Sequence, residues 1–90
     1  AEERRQALAL SRGLKAAAAR FEAGERDGAR LLAAVREVLV SEPGVAVDYL
    51  DLRDAESLAP LAGAVERPAV LAVAAYVGKT RLIDNVQLLV

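Results

Sequence analysis

The sequence predicts an α+β fold in which two antiparallel helices pack on a small three-stranded, mainly antiparallel sheet. In the first half of the chain, apolar residues recur in steps of three and four, as in helices that bury one face. The second half is rich in β-branched residues and has a Gly-Lys pair between two apolar runs, as in strands joined by a hairpin. Helices followed by strands favour an α+β arrangement, and 90 residues suit a single domain.

The first helix is predicted over Glu2 to Ala23, and Gly24 ends it because glycine accepts the left-handed conformation found at helix ends. A second helix follows Asp27, whose carboxylate is a suitable N-cap, and stops before Pro43-Gly44, because proline cannot continue the helical hydrogen bonds. The short connection makes the helices antiparallel. The predicted buried stripes are Ala7, Leu10, Leu14, Ala18 and Phe21 in the first helix, and Leu31, Leu32, Val35, Val38 and Leu39 in the second.

The first predicted strand, Val45 to Arg53, does not alternate regularly. Its first half places two valines and Tyr49 on one face, whereas its second half places Leu50 and Leu52 on the other. Either both faces are partly buried, or a bulge resets the alternation near Tyr49. Residues 54–61 then form a polar turn or a short helix capped by Asp54, and residues 62–68 form a loop.

The remaining two strands form a hairpin. Ala69 to Val77 is apolar without interruption, which predicts a central strand covered on both sides. Gly78-Lys79 favours a tight type II′ turn, because glycine occupies the first central position. Thr80 to Leu89 is the last predicted strand.

The composition excludes several classes of function. With no Cys and no His, the chain has no thiolate nucleophile, imidazole base, disulfide or Cys/His zinc site. A net charge of −1 argues against nucleic-acid binding. The chain contains neither a signal peptide nor the run of about 20 apolar residues that spans a bilayer, which predicts a cytoplasmic protein. The absence of Met and the helix-like start predict a piece of a larger protein.

Two glycine patterns resemble ligand-binding motifs. Gly78-Lys79-Thr80 matches the tail of a phosphate-binding loop, but Val73 stands where the motif has its first glycine, and a strand follows instead of a helix. We therefore predict a hairpin turn there. Gly24 and Gly28 lack dinucleotide-binding spacing and are predicted to be helix caps.

Three aspartates, Asp48, Asp51 and Asp54, suggest a metal site or an acid/base pair. In a regular strand Asp48 and Asp54 share one face and Asp51 lies opposite, so the three do not converge, and we expect solvated carboxylates. The basic residues of the first helix could attract an anion, but nearby glutamates favour a mixed, solvated face; these residues are Arg4, Arg5, Arg12, Lys15 and Arg20.

Polar residues interrupt the last strand at Arg81, Asp84 and Asn85. One interpretation is a bulge or turn in which the Asp84 and Asn85 side chains bond to backbone amides. The other is a surface that contacts a partner domain or a ligand. Physical reasoning from the residues identifies no catalytic, cofactor-binding or metal-binding residue.

Three stretches taken together resemble a known family. Ala7 to Leu14, Pro43 to Asp54 and Leu71 to Asn85, in this order and spacing, are similar to the C-terminal domain of the pantothenate synthetase (pantoate–β-alanine ligase) family. The Asp-Tyr-Leu strand and the Thr-Arg-Leu-Ile-Asp-Asn hairpin are the most specific parts, and Lys79 departs from the smaller residue frequent there. The resemblance covers all 90 residues but only the last third of such an enzyme.

The resemblance implies a homodimeric enzyme that uses ATP and Mg²⁺ to join pantoate to AMP, after which β-alanine displaces AMP and gives pantothenate. The family's His-x-Gly-His motif belongs to an N-terminal nucleotide-binding domain, and its Ser-Ser-Arg-Asn loop would precede Ala1. No catalytic, cofactor-binding or metal residue is therefore carried over to this chain. Residues 1–90 are expected to form the lid that excludes water from the adenylate, and to be inactive alone and without bound cofactor.

The residues that carry the resemblance are expected to be structural or interdomain; they are Asp48, Tyr49, Arg81, Asp84 and Asn85. The alternative is a stand-alone module that binds a metabolite or mediates dimerisation.

Overall fold

Two helices precede a three-stranded sheet in the computed structural model, which describes residues 2–61 and 63–89. The elements are α1 Glu2–Glu22, α2 Gly28–Val40, β1 Val45–Asp54, β2 Ala69–Val77 and β3 Thr80–Leu88. The strand order is β1-β2-β3, with both pairs antiparallel. The predicted α+β fold and the predicted elements are confirmed to within a few residues. Of the predicted loop, Ala62 lies outside the described residues.

The helix boundaries follow from local chemistry. Gly24 adopts a φ of 112° just after α1, and the Asp27 carboxylate accepts a hydrogen bond of 2.9 Å from the Ala29 amide at the start of α2. Both predictions are confirmed. Gly28, predicted to be a cap, is instead the buried first residue of α2, where a Cβ would lie 2.8 Å from Leu52 and 2.9 Å from the Gly63 carbonyl. Glycine is required there for close packing.

A bulge in β1 reverses the side-chain alternation. The register with β2 shifts between Val47 and Tyr49, which confirms the bulge. Because of this extra residue, Tyr49 does not share a face with Val47. Instead Leu50 and Leu52 return to the face of Val47, which is the face that packs on the helices, and Tyr49 lies on the opposite face.

The core lies between the helices and one face of the sheet. In β2 this face carries Ala69, Leu71, Val73, Ala75 and Val77, all buried. From α1, Ala9 and Ala17 are buried more deeply than the predicted Ala7 and Ala18, and these small side chains let α1 approach α2 closely. Gly13 marks this approach, since a Cβ there would lie 3.1 Å from Val35 Cγ1.

The opposite face of the sheet carries no helix or strand of the described chain. The prediction that β2 is covered on both sides is therefore wrong within residues 2–61 and 63–89. Ala74 is nevertheless fully buried on this face, because the larger Tyr49 and Ile83 flank it on the neighbouring strands. Tyr76 and Ile83 remain 42% and 59% exposed.

The β2–β3 connection is the predicted hairpin. Gly78 has a φ of 62°, and Leu58 is the one non-glycine residue with positive φ in the described part of the chain, so Lys79 is not left-handed. This combination fits the type II′ turn. Since β3 follows instead of a helix, Gly78-Lys79-Thr80 is not a phosphate-binding loop. Residues 55–57 form a turn, so the alternative of a short helix is wrong.

Candidate functional site

The uncovered face of the sheet is the candidate functional surface, and we call it the open face. The strand register assigns to it alternate residues of each strand. These are Ala46, Tyr49, Asp51 and Arg53 of β1, Val70, Ala72, Ala74 and Tyr76 of β2, and Arg81, Ile83, Asn85 and Gln87 of β3. Small side chains in the middle of β2 leave the flanking aromatic and charged residues prominent.

Three of the five residues singled out from the sequence meet on this face, and we call them the Arg81 cluster. Arg81 donates to Asp48 Oδ2 from Nε at 3.1 Å and from Nη2 at 3.0 Å. The guanidinium carbon lies 5.7 Å from the centroid of the Tyr49 ring, within the range of a cation–π contact. The bulge brings Asp48 and Tyr49 to Arg81. Arg81 and Asp48 are about 40% exposed, so their ion pair contributes little to folding and is accessible to a partner.

Asp84 and Asn85 do not join the cluster, because they lie on opposite faces. Asp84 is half-buried on the helix-packed face opposite Val73, and Asn85 is exposed on the open face opposite Ala72. The β2–β3 register is unbroken, so the predicted bulge or turn in β3 is wrong. The predicted bond to a backbone amide does exist, since Asp84 Oδ1 accepts from the Asn85 amide at 2.8 Å.

The three aspartates of β1 do not converge, although the predicted faces were wrong. The bulge separates Asp48, which pairs with Arg81, from Asp54, which ends the strand on the helix-packed face. Asp51 lies on the open face beside Arg53, with 3.3 Å between its Oδ2 and Arg53 Nη2. Within residues 2–61 and 63–89, no group of three or more acidic side chains could hold a metal ion.

Asp54 was predicted to be solvated but is 3% exposed. Its Oδ1 accepts from the amides of Glu56 and Ser57, both at 2.9 Å, and its Oδ2 lies 3.0 Å from Arg67 Nη2. The hydrogen bonds from Ser57 and Glu56, together with the charge of Arg67, lower the pKa of Asp54 below its ordinary value. Asp54 therefore fixes the β1–β2 connection. In the sequence, the Asp-x-x-Ser pattern indicates this turn. No sequence pattern indicates that Arg67 contacts Asp54.

The basic residues of α1 form the expected mixed face. Arg5 and Arg12 both bind the Glu42 carboxylate, at 3.0 and 3.1 Å, and Arg20 lies 3.9 Å from Glu37. Their charges are thus largely balanced within the domain.

Two depressions of the described structure lie away from the Arg81 cluster. One shallow depression of about 380 Å³ lies on the outward side of α2, lined by Ala33, Arg36, Glu37, Val40 and Ser41. A smaller one of about 220 Å³ lies beside Asp54 and Arg67. The Arg81 cluster itself is exposed on the sheet surface, which suits contact with another protein surface. None of the described helices has the length and apolar character needed to cross a membrane.

Comparison with known proteins decides the family. The model of the pantoate-beta-alanine ligase family matches residues 1–87. The chain belongs to this family.

Family members with curated names agree with this assignment. The chain is 60% identical over 87 residues to the pantothenate synthetase of Acidobacterium capsulatum and 57% identical over 88 residues to that of Myxococcus xanthus. The matches cover 97% of this chain but 29% and 30% of those enzymes. The crystal structure of pantothenate synthetase from Thermus thermophilus superposes with a TM-score of 0.79 at 33% identity, over 91% of this chain and 29% of that one. The chain thus spans less than a third of these relatives and corresponds to their C-terminal portion.

Proposed function

We propose that this chain is the C-terminal lid domain of a pantoate–β-alanine ligase, and that the lid closes over an adenylate-forming site on the preceding N-terminal domain. The observation that carries the proposal is the 60% identity to a pantothenate synthetase over nearly the whole chain but only 29% of that enzyme. The described residues 2–61 and 63–89 share one hydrophobic core, which suits a unit that moves as a rigid body.

The proposed reaction explains why a lid is needed. The pantoate carboxylate attacks the α-phosphate of ATP, which releases pyrophosphate and forms pantoyl adenylate. The amine of β-alanine then attacks the acyl carbon, and AMP leaves. Because the adenylate is an activated acyl group, water competes with β-alanine. A cover that excludes water protects the intermediate.

The chain's own residues set the limits of its role. The described part has no acidic cluster suited to Mg²⁺, and the sequence has no histidine. We therefore assign the binding of ATP, Mg²⁺, pantoate and β-alanine to the preceding domain. Cytoplasmic location and homodimerisation of the whole enzyme belong to the same proposal.

The open face is the surface that we assign to the contact with the preceding domain. The start of α1 is fixed beside the α2–β1 connection, because Gln6 Nε2 donates to the Pro43 carbonyl at 2.7 Å. That connection leads directly into Val45, which pairs with Val77 next to the hairpin. A polypeptide that precedes α1 therefore approaches the hairpin end of the sheet. The Arg81 cluster lies at this same end.

A chimeric enzyme tests the proposal. The matching C-terminal segment of the Acidobacterium capsulatum enzyme is replaced by residues 1–90, and pantothenate formation from pantoate, β-alanine, ATP and Mg²⁺ is measured. We expect the chimera to be active and the isolated chain to be inactive. An inactive but folded chimera, or turnover by the isolated chain, would contradict the proposal.

The chain offers a matched pair of variants for the open face. Arg81→Gln removes a charge at the hairpin end, whereas Arg53→Gln removes the other Arg–Asp pair of the same face at its far end. Loss of one charged hydrogen bond across a closed interface corresponds to roughly 10–100-fold in kcat/KM. We expect a loss of this order for Arg81→Gln and little change for Arg53→Gln. Equal effects would show that the hairpin end is not the contact.

A further inference from the structure

The outer edge of β3 is an unpaired strand edge in the described part of the chain. Val77 and Thr80 close a two-residue hairpin, so Thr80 and every second residue after it exchange hydrogen bonds with β2. The peptide groups of Arg81, Ile83, Asn85 and Gln87 therefore point away from β2. The strand runs for nine residues without a bulge. Such an edge can pair with another strand.

The Asp84 side chain binds one of the backbone amides that point away from β2. Its Oδ1 accepts from the Asn85 amide at 2.8 Å, and no ion pair or further hydrogen bond of Asp84 occurs within residues 2–61 and 63–89. The carboxylate is half-buried on the helix-packed face. An inward charge on an edge strand is a recognised means of discouraging edge-to-edge pairing. In β3 the same side chain also occupies the Asn85 amide, so that this donor is not available to a second strand.

The edge of β1 is protected in a different way. Its first half is interrupted by the bulge between Val47 and Tyr49. Along its second half the Leu61 amide donates to the Leu52 carbonyl and the Asp54 amide donates to the Ala59 carbonyl, both at 2.9 Å. The chain thus covers one edge with its own backbone, and Asp84 is the corresponding protection of the other.

We propose that Asp84, by capping the Asn85 amide, prevents two copies of this chain from pairing antiparallel through β3. In a symmetric pair centred on residue 84, Ile83 of each copy would lie opposite Asn85 of the other, with outward peptide groups facing each other. Two carboxylates would then stand directly opposite, which is destabilising. A β-branched residue at this position would instead favour the pair. The proposal does not depend on the ligase function.

Substitutions in the 90-residue chain test this role. Asp84→Val removes the acceptor and the charge, and the mass is followed by sedimentation velocity over increasing concentration. We expect the unmodified chain to stay at 9.5 kDa and Asp84→Val to reach twice that mass. Asp84→Asn keeps an oxygen that can accept from the Asn85 amide and is expected to remain monomeric. Asp51→Val, the same change on β1, is the matched control and is also expected to remain monomeric.

A double variant locates the contact. In Asp84→Val/Asn85→Pro the outward donor is lost while the bonds between β2 and β3 are kept, since proline is tolerated where an edge amide faces solvent. We expect this variant to be monomeric again. Circular dichroism establishes that each variant is folded.

Hydrogen exchange of the Asn85 amide measures directly whether Asp84 protects it. At a dilution where every variant is monomeric, the Asn85 amide should exchange faster in Asp84→Val than in the unmodified chain. A monomeric, folded Asp84→Val at high concentration would overturn the proposal. So would dimerisation of the unmodified chain, of Asp84→Asn or of the double variant, or unchanged exchange of the Asn85 amide.

Discussion

Gly28→Ala tests the packing at the start of α2, where the structure leaves no room for a side chain. A Cβ at this position would lie 2.8 Å from Leu52 Cδ2 and 2.9 Å from the Gly63 carbonyl oxygen. The methyl group of Leu52 can move, but the carbonyl cannot withdraw freely, because it accepts a 2.9 Å hydrogen bond from the Gly28 amide. Relief of the contact therefore weakens the link between α2 and the β1–β2 connection.

The cost can be estimated from two opposing contributions. Overpacking of this kind destabilises by about 1–3 kcal/mol. Alanine gains up to about 1 kcal/mol over glycine in a helix interior, and less at the first position of a helix. A net loss of about 1–2 kcal/mol follows. For a domain of this size, a melting temperature falls by roughly 4–8 °C per kcal/mol, so we expect Tm to fall by about 5–15 °C.

Thermal and urea unfolding followed by circular dichroism measure this loss. Gly13→Ala is the comparison variant, because its Cβ would lie 3.1 Å from Val35 Cγ1 and 3.3 Å from the Val35 carbonyl oxygen, which are longer contacts than those at Gly28. Alanine also gains helix preference in the interior of α1. We expect Gly13→Ala to stay within about 1 kcal/mol of the unmodified chain. A Gly28→Ala variant as stable as the unmodified chain would refute the close contact with Gly63.

Two further substitutions probe the sheet and its connection. Ala74→Asp places an unpaired charge under Tyr49 and should destabilise by about 1–3 kcal/mol, less than Val73→Asp on the helix-packed face; equal losses in urea unfolding would mean that both faces are equally covered. Asp54→Asn tests the pH dependence. Because the folded-state pKa of Asp54 is lowered, its stabilisation is present above its unfolded-state pKa and is lost as the pH falls through the folded-state value. Unfolding measured from neutral to acid pH should therefore show a smaller acid-induced loss in Asp54→Asn. An identical profile would contradict the stabilisation of the Asp54 carboxylate by the amides of Ser57 and Glu56 and by Arg67.

Local patterns were sufficient to predict most of the fold. The Asp27 cap, the Gly78-Lys79 hairpin and the nine apolar residues of β2 each depend on neighbours in sequence, and each was predicted correctly as an element of structure. The bulge was inferred from the broken alternation in β1. That the bulge places Tyr49 on the open face, opposite to Val47, is visible only in the register with β2.

Contacts between distant residues could not be predicted in the same way. Asp48 and Arg81 are 33 positions apart, and nothing in either segment indicates that the bulge turns Asp48 towards β3. Asp54 pairs with Arg67, 13 positions away, which the β1–β2 connection brings back to the end of β1. The apolar character of both faces of β2 predicted a second covering layer, and the described residues supply only one. The contact between the open face and a preceding domain is a proposal and was not predicted from the sequence.

The central claim is that this chain shields an adenylate formed on another domain, and the coupling of AMP release to pantothenate formation tests it most directly. Both products are measured in the chimera and in its Arg81→Gln and Arg53→Gln variants. The account predicts equal amounts of AMP and pantothenate in the chimera and in Arg53→Gln, and an excess of AMP in Arg81→Gln, because water reaches the adenylate when the lid closes poorly. Equal amounts of both products in Arg81→Gln, at any rate of turnover, would contradict it.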